Sequence, residues 1–223
     1  MRSAVKRPTL CIFDLDGTLV DSLRDIAEAV NESLELLGLP AQPIDDYRHK
    51  VGEGVPKLCE RVLGDTHPHL VARLAELARP RYRVRPLQHT RPYLGVVRAL
   101  DDLRRIGVRL AVLSNKPHEL TVAVVRAFWP ANVFAQIQGY VDAQHRKPDP
   151  HYVLQICRGL GVSPGQTWVV GDTPTDIETA RRCGALSVGI TWGFRTREDL
   201  AQAGANLLVD SPAELVTSAA GAR

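Results

Sequence analysis

Long apolar runs are missing from this sequence: no window approaches the ~18 uncharged apolar residues that a membrane-spanning helix needs. The opening stretch MRSAVKRPTL has basic residues but no apolar segment of the kind that directs secretion. Cysteine is scarce. Cys11, Cys59, Cys157 and Cys183 are scattered, form no C-x-x-C pair and mostly fall in apolar runs. That pattern points to buried free thiols in a reducing compartment rather than a disulfide framework, so a cytoplasmic protein with no membrane partner is expected. Charge of one sign is also lacking. The 28 basic and 25 acidic residues leave a net charge of +3, too small to imply nucleic acid without a basic patch. The seven histidines make no H-E-x-x-H or similar cluster, which argues against zinc, and His67-Pro68-His69 reads as a solvated turn.

What is present is a core-forming chain, with 44% hydrophobic residues over 223 positions. The apolar runs TLCIF, VRLAVL, QTWVV, LSVGI and NLLV each have strand length and alternate with helical patterns. This is the signature of an α/β fold, a doubly wound parallel sheet with a Rossmann-like core. Between Asp21 and about Thr90 the alternation stops and only helical periodicity is found. The first helix there has a capping-box variant in Ser22 and Asp25, an apolar stripe of Ile26, Ala29, Val30, Leu34 and Leu37, and a stop at Gly38 and Pro40. A second follows in GVPKLCERVLG, and a third in PHLVARLAELAR is expected to end at Pro80. Residues 1–20 and 91–223 are thus expected to form the core and 21–90 an all-helical insert. The last residues, TSAAGAR, are expected to fray.

Three strand-like runs end in unusual polar residues. CIF leads into Asp14-Leu15-Asp16-Gly17-Thr18, LAVL into Ser114-Asn115-Lys116, and WVV into Gly171-Asp172-Thr173-Pro174-Thr175-Asp176. In open parallel sheets ligands bind at the carboxyl ends of strands, so these sets should share one crevice, joined by Lys147 of HRKPDP in a loop before a helix starting near Pro148. Asp14, Asp16, Asp172 and Asp176 crowded together require a hard cation with oxygen ligands, and Mg²⁺ fits best. A cation beside a carboxylate, with Ser114 and Lys147 as donors, suits a phosphoryl group. Asp14 is then the candidate nucleophile, forming an aspartyl-phosphate, and Asp16 the candidate acid and later base.

FDLDGTLVDS, SNK, the lysine of RKPDP and GDTPTD stand in the order and spacing of the four motifs of the haloacid dehalogenase superfamily, which this chain resembles from Phe13 to Asp176. Members of that superfamily are mostly Mg²⁺-dependent phosphatases. The resemblance implies that Asp14 is nucleophile and metal ligand, and that Asp16 is the acid/base whose backbone carbonyl also meets the metal. It implies that Ser114 and Lys147 hold the phosphate with help from Thr18 and Asn115. Asp172 would bind Mg²⁺, and Asp176 would support the metal's waters or orient Lys147. The helical insert would be a mobile cap. VGEGVPKL, RPYLGV, SNKP and GITWGFR look most like the phosphoglycolate phosphatases, which implies 2-phosphoglycolate as substrate. A sugar phosphate, nucleotide, pyrophosphate or other small phosphorylated metabolite stays open as the substrate, as does a non-catalytic phosphate-binding role. The acid at Asp16 suits a phosphate ester's leaving oxygen rather than dehalogenation. A monomer or homodimer is expected.

Other features have plainer readings. Gly52-Glu53-Gly54 lacks the G-K-[ST] of a Walker loop and reads as a loop opening a helix. Ser114-Asn115 also resembles a helix cap, with Pro117 opening the next helix. Arg79, Arg81, Arg83 and Arg85 recur at period two, which in an extended chain would line one face, but a solvated hinge is the simpler reading. Lys50, Lys57 and Arg61 are conceivable contacts for a substrate carboxylate, though each fits an exposed helix charge. Trp129, Trp168 and Trp192 read as packing residues.

Overall fold

The computed structural model describes residues 7–142 and 144–221. The first apolar run becomes β1 (Leu10–Phe13), every residue of which is buried. A strand without polar alternation has to be covered on both faces. Cys11 and Phe13 face one apolar cluster while Leu10 and Ile12 face another, as the two-residue period of a strand requires. The chain then makes β2 (Val20–Asp21), three helices, α1 (Leu23–Glu35), α2 (Val55–Leu63) and α3 (Val71–Val84), and returns through β3 (Arg91–Pro92). The remainder alternates: α4 (Val96–Arg105), β4 (Arg109–Pro117), α5 (His118–Phe128), β5 (Gln136–Tyr140), α6 (His151–Leu160), β6 (Thr167–Gly171), α7 (Pro174–Cys183), β7 (Leu186–Ile190), α8 (Arg197–Gln202), β8 (Leu207–Val209) and α9 (Pro212–Gly221).

Six strands make one parallel sheet in the order β5-β4-β1-β6-β7-β8. On one face, Val112, Val170 and Val188 pack with Leu100, Leu103, Val124 and Leu215 of α4, α5 and α9. On the other, Ala111, Leu113 and Val169 meet Tyr152, Val153, Ile156 and Ala180 of α6 and α7. Each fully buried leucine or isoleucine contributes roughly 1.5–3 kcal/mol. The helices between β2 and β3 close around a third cluster that includes Leu23, Ile26, Leu34, Tyr47, Leu58 and Leu74, to which Phe194 is the contribution from the sheet side. The loop carrying Phe194 also clasps that helical segment: Arg195 donates to the carbonyls of Arg48, His49 and Val51.

Several local expectations are corrected. The edges of the helical segment are strands, since Val20 pairs with Pro92 and Asp21 with Arg91 in an antiparallel ribbon. Pro80 does not end α3, which runs on to Val84. A proline removes one N–H and strains one turn, but Tyr82 beyond it packs against the cluster that holds Leu74, Ala75 and Ala78, and Arg81 Nη1 bonds Leu77 O at 2.8 Å. Arg79, Arg81 and Arg83 therefore lie on a helix, where a spacing of two turns side chains to opposite sides. Arg83 pairs with Glu119, and Arg85 just beyond pairs with Glu32.

Ser22 occupies the N-cap of α1 without a side-chain capping bond, because its hydroxyl donates to Asp16. Asp25, the other half of the expected capping box, is buried and accepts from the N–H of His89 and from both N–H and hydroxyl of Thr90. Pro117 is the N-cap residue of α5 rather than its first residue, so Ser114 and Asn115 lie in β4. α6 starts at His151, beyond the expected Pro148. β5, QIQGY, was not among the expected strands. α9 extends through Gly221 where fraying is expected, and Ala222 and Arg223 lie outside the described residues. All four cysteines are free, three of them buried and Cys183 partly so. Trp129 and Trp168 are buried, and Trp192 bonds Thr18 O. Among the described residues no helix is long and apolar enough to cross a membrane.

Candidate active site

The sheet fixes the site through its two central strands. Asp14 continues β1, and its N–H donates to Val170 O of β6 at 2.9 Å, so its side chain emerges at the carboxyl end of the sheet. Asp172 follows β6 in the same way. Thr173 then caps α7 through a reciprocal box with Asp176, whose Oδ2 accepts from Thr173 N at 3.1 Å and from its hydroxyl at 2.7 Å. Gly171 is needed at this corner, since a Cβ there would lie 2.2 Å from Asp176 Cγ. Gly17 is needed for two reasons: its φ is +84°, and a Cβ would come within 2.3 Å of Asp172 Oδ2.

Lys147 joins the two strands' carboxylates. Its Nζ lies 2.8 Å from Asp14 Oδ1 and 2.6 Å from Asp176 Oδ1, all three groups being nearly or wholly buried. Burial alone would favour the neutral amine, but Asp14 and Asp176 outweigh it and hold the Lys147 pKa above the usual lysine value. One ammonium does not neutralise the cluster. Burial, reinforced by neighbouring carboxylates, pushes Asp14 up to about 6 despite Lys147, and Asp172 up to about 8. Asp14, Asp172 and Asp176 bring carboxylate oxygens within 4.8 Å of one another. Asp14 Oδ1 meets the Lys147 ammonium at 2.8 Å and has no second partner among the described residues. Crowded, buried, hard oxygen donors that one ammonium does not balance fit a divalent cation.

Asp16 stands apart from this trio. Both its oxygens accept from Lys116 Nζ, at 2.5 and 2.6 Å, and Oδ1 also accepts from the Ser22 hydroxyl at 2.6 Å. The two aspartates of DLD thus have separate lysine partners, and the expected gathering of four carboxylates is a gathering of three. Two phosphate contacts are also redirected. The Thr18 hydroxyl donates to Asp172 Oδ1 at 2.9 Å. Asn115 is spent on the backbone, accepting from Lys147 N at 2.8 Å and donating to Lys147 O and Gly52 O. Ser114 is buried, accepts weakly from Lys116 N at 3.3 Å and lines the cleft.

That cleft, about 360 Å³, lies between the strand ends and the helical segment. Asp14, Asp16, Ser114 and Lys116 form its floor, and Ile26, Val30, Val55 and Leu58 form an apolar wall. Lys50, Lys57 and Arg61 do not line the cleft, in keeping with the plainer reading of them as helix charges: Lys50 bonds Gln42, Lys57 pairs with Glu60, and Arg61 with Glu53. Arg79, Tyr82 and Arg83 line the cleft instead. Their i, i+3 and i, i+4 spacing would have revealed them had α3 been continued past Pro80. Burial pushes the Tyr82 hydroxyl up to about 12, so it remains a proton donor at neutral pH. Lys116, quoted within SNK, had no role attached to it because a partner at Asp16 is a tertiary contact.

Residues 8–184 match the haloacid dehalogenase-like hydrolase family. The chain is 36% identical to a phosphoglycolate phosphatase of Aquifex aeolicus over 82% of its length and 84% of the relative's. It is also 36% identical to one of Chromobacterium violaceum, covering 91% and 92% of the two chains. Among solved structures, a protein of Lactobacillus delbrueckii subsp. bulgaricus ascribed to the phosphoglycolate phosphatases superposes with a TM-score of 0.89 at 29% identity, covering 96% and 98%. The match extends across both the parallel sheet and the acidic cleft at its carboxyl edge, and the chain belongs to the haloacid dehalogenase-like hydrolases, among their phosphatases.

Proposed function

We propose that the chain hydrolyses a phosphomonoester through an aspartyl-phosphate on Asp14, with 2-phosphoglycolate as substrate. The observation that carries the mechanism is Asp14 itself, buried at the end of β1, held by Lys147 at 2.8 Å and facing the cleft. The names of the relatives support the substrate.

In this reading an oxygen of Asp14 attacks phosphorus and the ester's P–O bond breaks. Asp16 gives a proton to the departing oxygen, then takes one from the water that attacks the aspartyl-phosphate, releasing phosphate and restoring Asp14. Lys147 and Ser114 hold the phosphoryl oxygens, and Asp176 keeps the Lys147 ammonium in place through its 2.6 Å contact. Asn115 fixes the Lys147 backbone and Thr18 fixes Asp172, so both act behind the phosphate contacts. Asp14, Asp172 and the Asp16 carbonyl would hold Mg²⁺. When bound, the ion supplies positive charge that offsets the carboxylates and the incoming phosphate.

Residues 21–90 act as a cap whose apolar wall excludes water during the reaction. The free, largely buried thiols suit the cytoplasm, and the assembly proposed is a monomer or homodimer. A second reading is favoured by the cleft, whose volume and apolar wall would also admit a bulkier ester. The test is phosphate release from a panel of small esters in Mg²⁺ and in EDTA, with Asp14→Asn as control. Metal-dependent release strongest for 2-phosphoglycolate and absent in the variant is expected. Preference for a larger ester would replace the substrate, and turnover surviving in Asp14→Asn would end the mechanism.

A further inference from the structure

Resting on the phosphatase reading above, we infer that Lys116 and Tyr82 form the subsite that recognises a carboxylate on the leaving group. In a 2-phospho-carboxylate the carboxyl group is bonded to the carbon that carries the leaving oxygen, so its oxygens lie within about 2.7–3.6 Å of that oxygen. The leaving oxygen must itself be within about 2.6–3.2 Å of its proton donor, Asp16. Whatever holds the carboxylate therefore has to adjoin Asp16.

Lys116 meets that requirement. Its Nζ contacts both Asp16 oxygens, at 2.5 and 2.6 Å, and its third donor faces the Tyr82 hydroxyl. Tyr82 stands beside it: Lys116 Nζ lies 4.8 Å from the ring centroid, and the buried Tyr82 hydroxyl, with the ammonium against its oxygen, has no acceptor for its own proton among the described residues. A buried O–H without an acceptor is costly, and a carboxylate at this point would accept from it beside the ammonium. Both side chains line the cleft that holds Asp14. Lys116 belongs to the floor of the cleft, at the end of β4, and Tyr82 to α3, so a carboxylate held by both would strengthen the contact between the helical segment and the sheet. Arg79 also lines the cleft and has no partner among the described residues, but it lies on an exposed part of α3. It makes no contact with Asp16.

The experiment compares kcat/KM for 2-phosphoglycolate with that for 2-hydroxyethyl phosphate, which is similar in length but has a neutral end. The ratio is the readout, because any loss through misplacement of Asp16 is common to both esters and cancels. Lys116→Met and Tyr82→Phe should each lower the ratio at least about tenfold, because a carboxylate acceptor makes both hydrogen bonds charged ones. Arg79→Gln should leave it within about twofold, since it keeps an exposed position. Tyr82→Phe keeps the ring and the fold, so it decides the matter should Lys116→Met misfold. Unchanged ratios in both variants, or a fall confined to Arg79→Gln, would overturn the inference. Wild-type protein that cleaves both esters equally well would overturn it too while leaving the phosphatase reading intact. Wild-type protein that cleaves no ester would overturn both.

Discussion

Removing the Asp25 carboxylate tests whether the helical segment is anchored where the geometry says it is. Asp25 is 5% exposed and Thr90 fully buried. The carboxylate accepts from Thr90 N at 2.9 Å, Thr90 Oγ1 at 2.7 Å and His89 N at 2.8 Å, joining the first turn of α1 to the residues that lead into β3. In Asp25→Ala the two Thr90 donors lose their acceptor without gaining water, at roughly 1–3 kcal/mol each, while the half-buried His89 N–H is solvated at little cost. A total near 3 kcal/mol is expected, which for a chain of this size lowers Tm by about 6–12 °C. Asp25→Asn retains one acceptor oxygen and should fall between wild type and Asp25→Ala. Glu28→Gln is the control, because its 3.5 Å contact with His89 is partly exposed and is worth under about 1 kcal/mol. Thermal melts and urea titrations followed by circular dichroism give the values. An Asp25→Ala protein melting within about 2 °C of wild type would refute the accounting of buried donors.

Mg²⁺ at about a hundred times its dissociation constant should stabilise the fold by about 2.7 kcal/mol, a rise of roughly 5–11 °C in Tm, through binding to the native state alone. Asp172→Asn should abolish that rise, and an equal rise in the variant would place the ion elsewhere. Gly17→Ala should cost at least about 1–2 kcal/mol from its positive φ and should also weaken Mg²⁺ binding, because the new methyl displaces Asp172. Urea titration and isothermal titration calorimetry read the two effects, and an unchanged metal affinity would contradict the stated collision.

The sheet could be read from the sequence because its strands are buried on both faces and appear as unbroken apolar runs. β5 was invisible for the converse reason: an edge strand containing Gln136 and Gln138 lacks such a run. The acidic trio was legible because the ends of parallel strands converge by topology. Other assignments depended on contacts that no local pattern encodes. Ser22 and Asp25 have the spacing of a cap, yet one hydroxyl turns to Asp16 and one carboxylate to Thr90. Thr18 and Asn115 have the chemistry for a phosphate, yet Asp172 and the Lys147 backbone claim them first. At Pro80, local propensity argued for a helix end, while beyond it Tyr82 packs against the same apolar cluster as Leu74, Ala75 and Ala78.

The ribbon of β2 and β3 has a consequence for how such a chain can change. The helical segment leaves and re-enters through two residue pairs that face each other, Val20 with Pro92 and Asp21 with Arg91. Antiparallel partners are only about 4.5–5.5 Å apart, so the junction is a narrow splice point whose width does not depend on what is inserted. A segment of different length or shape could be exchanged there without shifting the register of any strand in the main sheet. The chemistry at the strand ends would be inherited intact while the surface above it was replaced, giving lineages of this chain a way to acquire new selectivity by recombination rather than by gradual remodelling of the reactive groups.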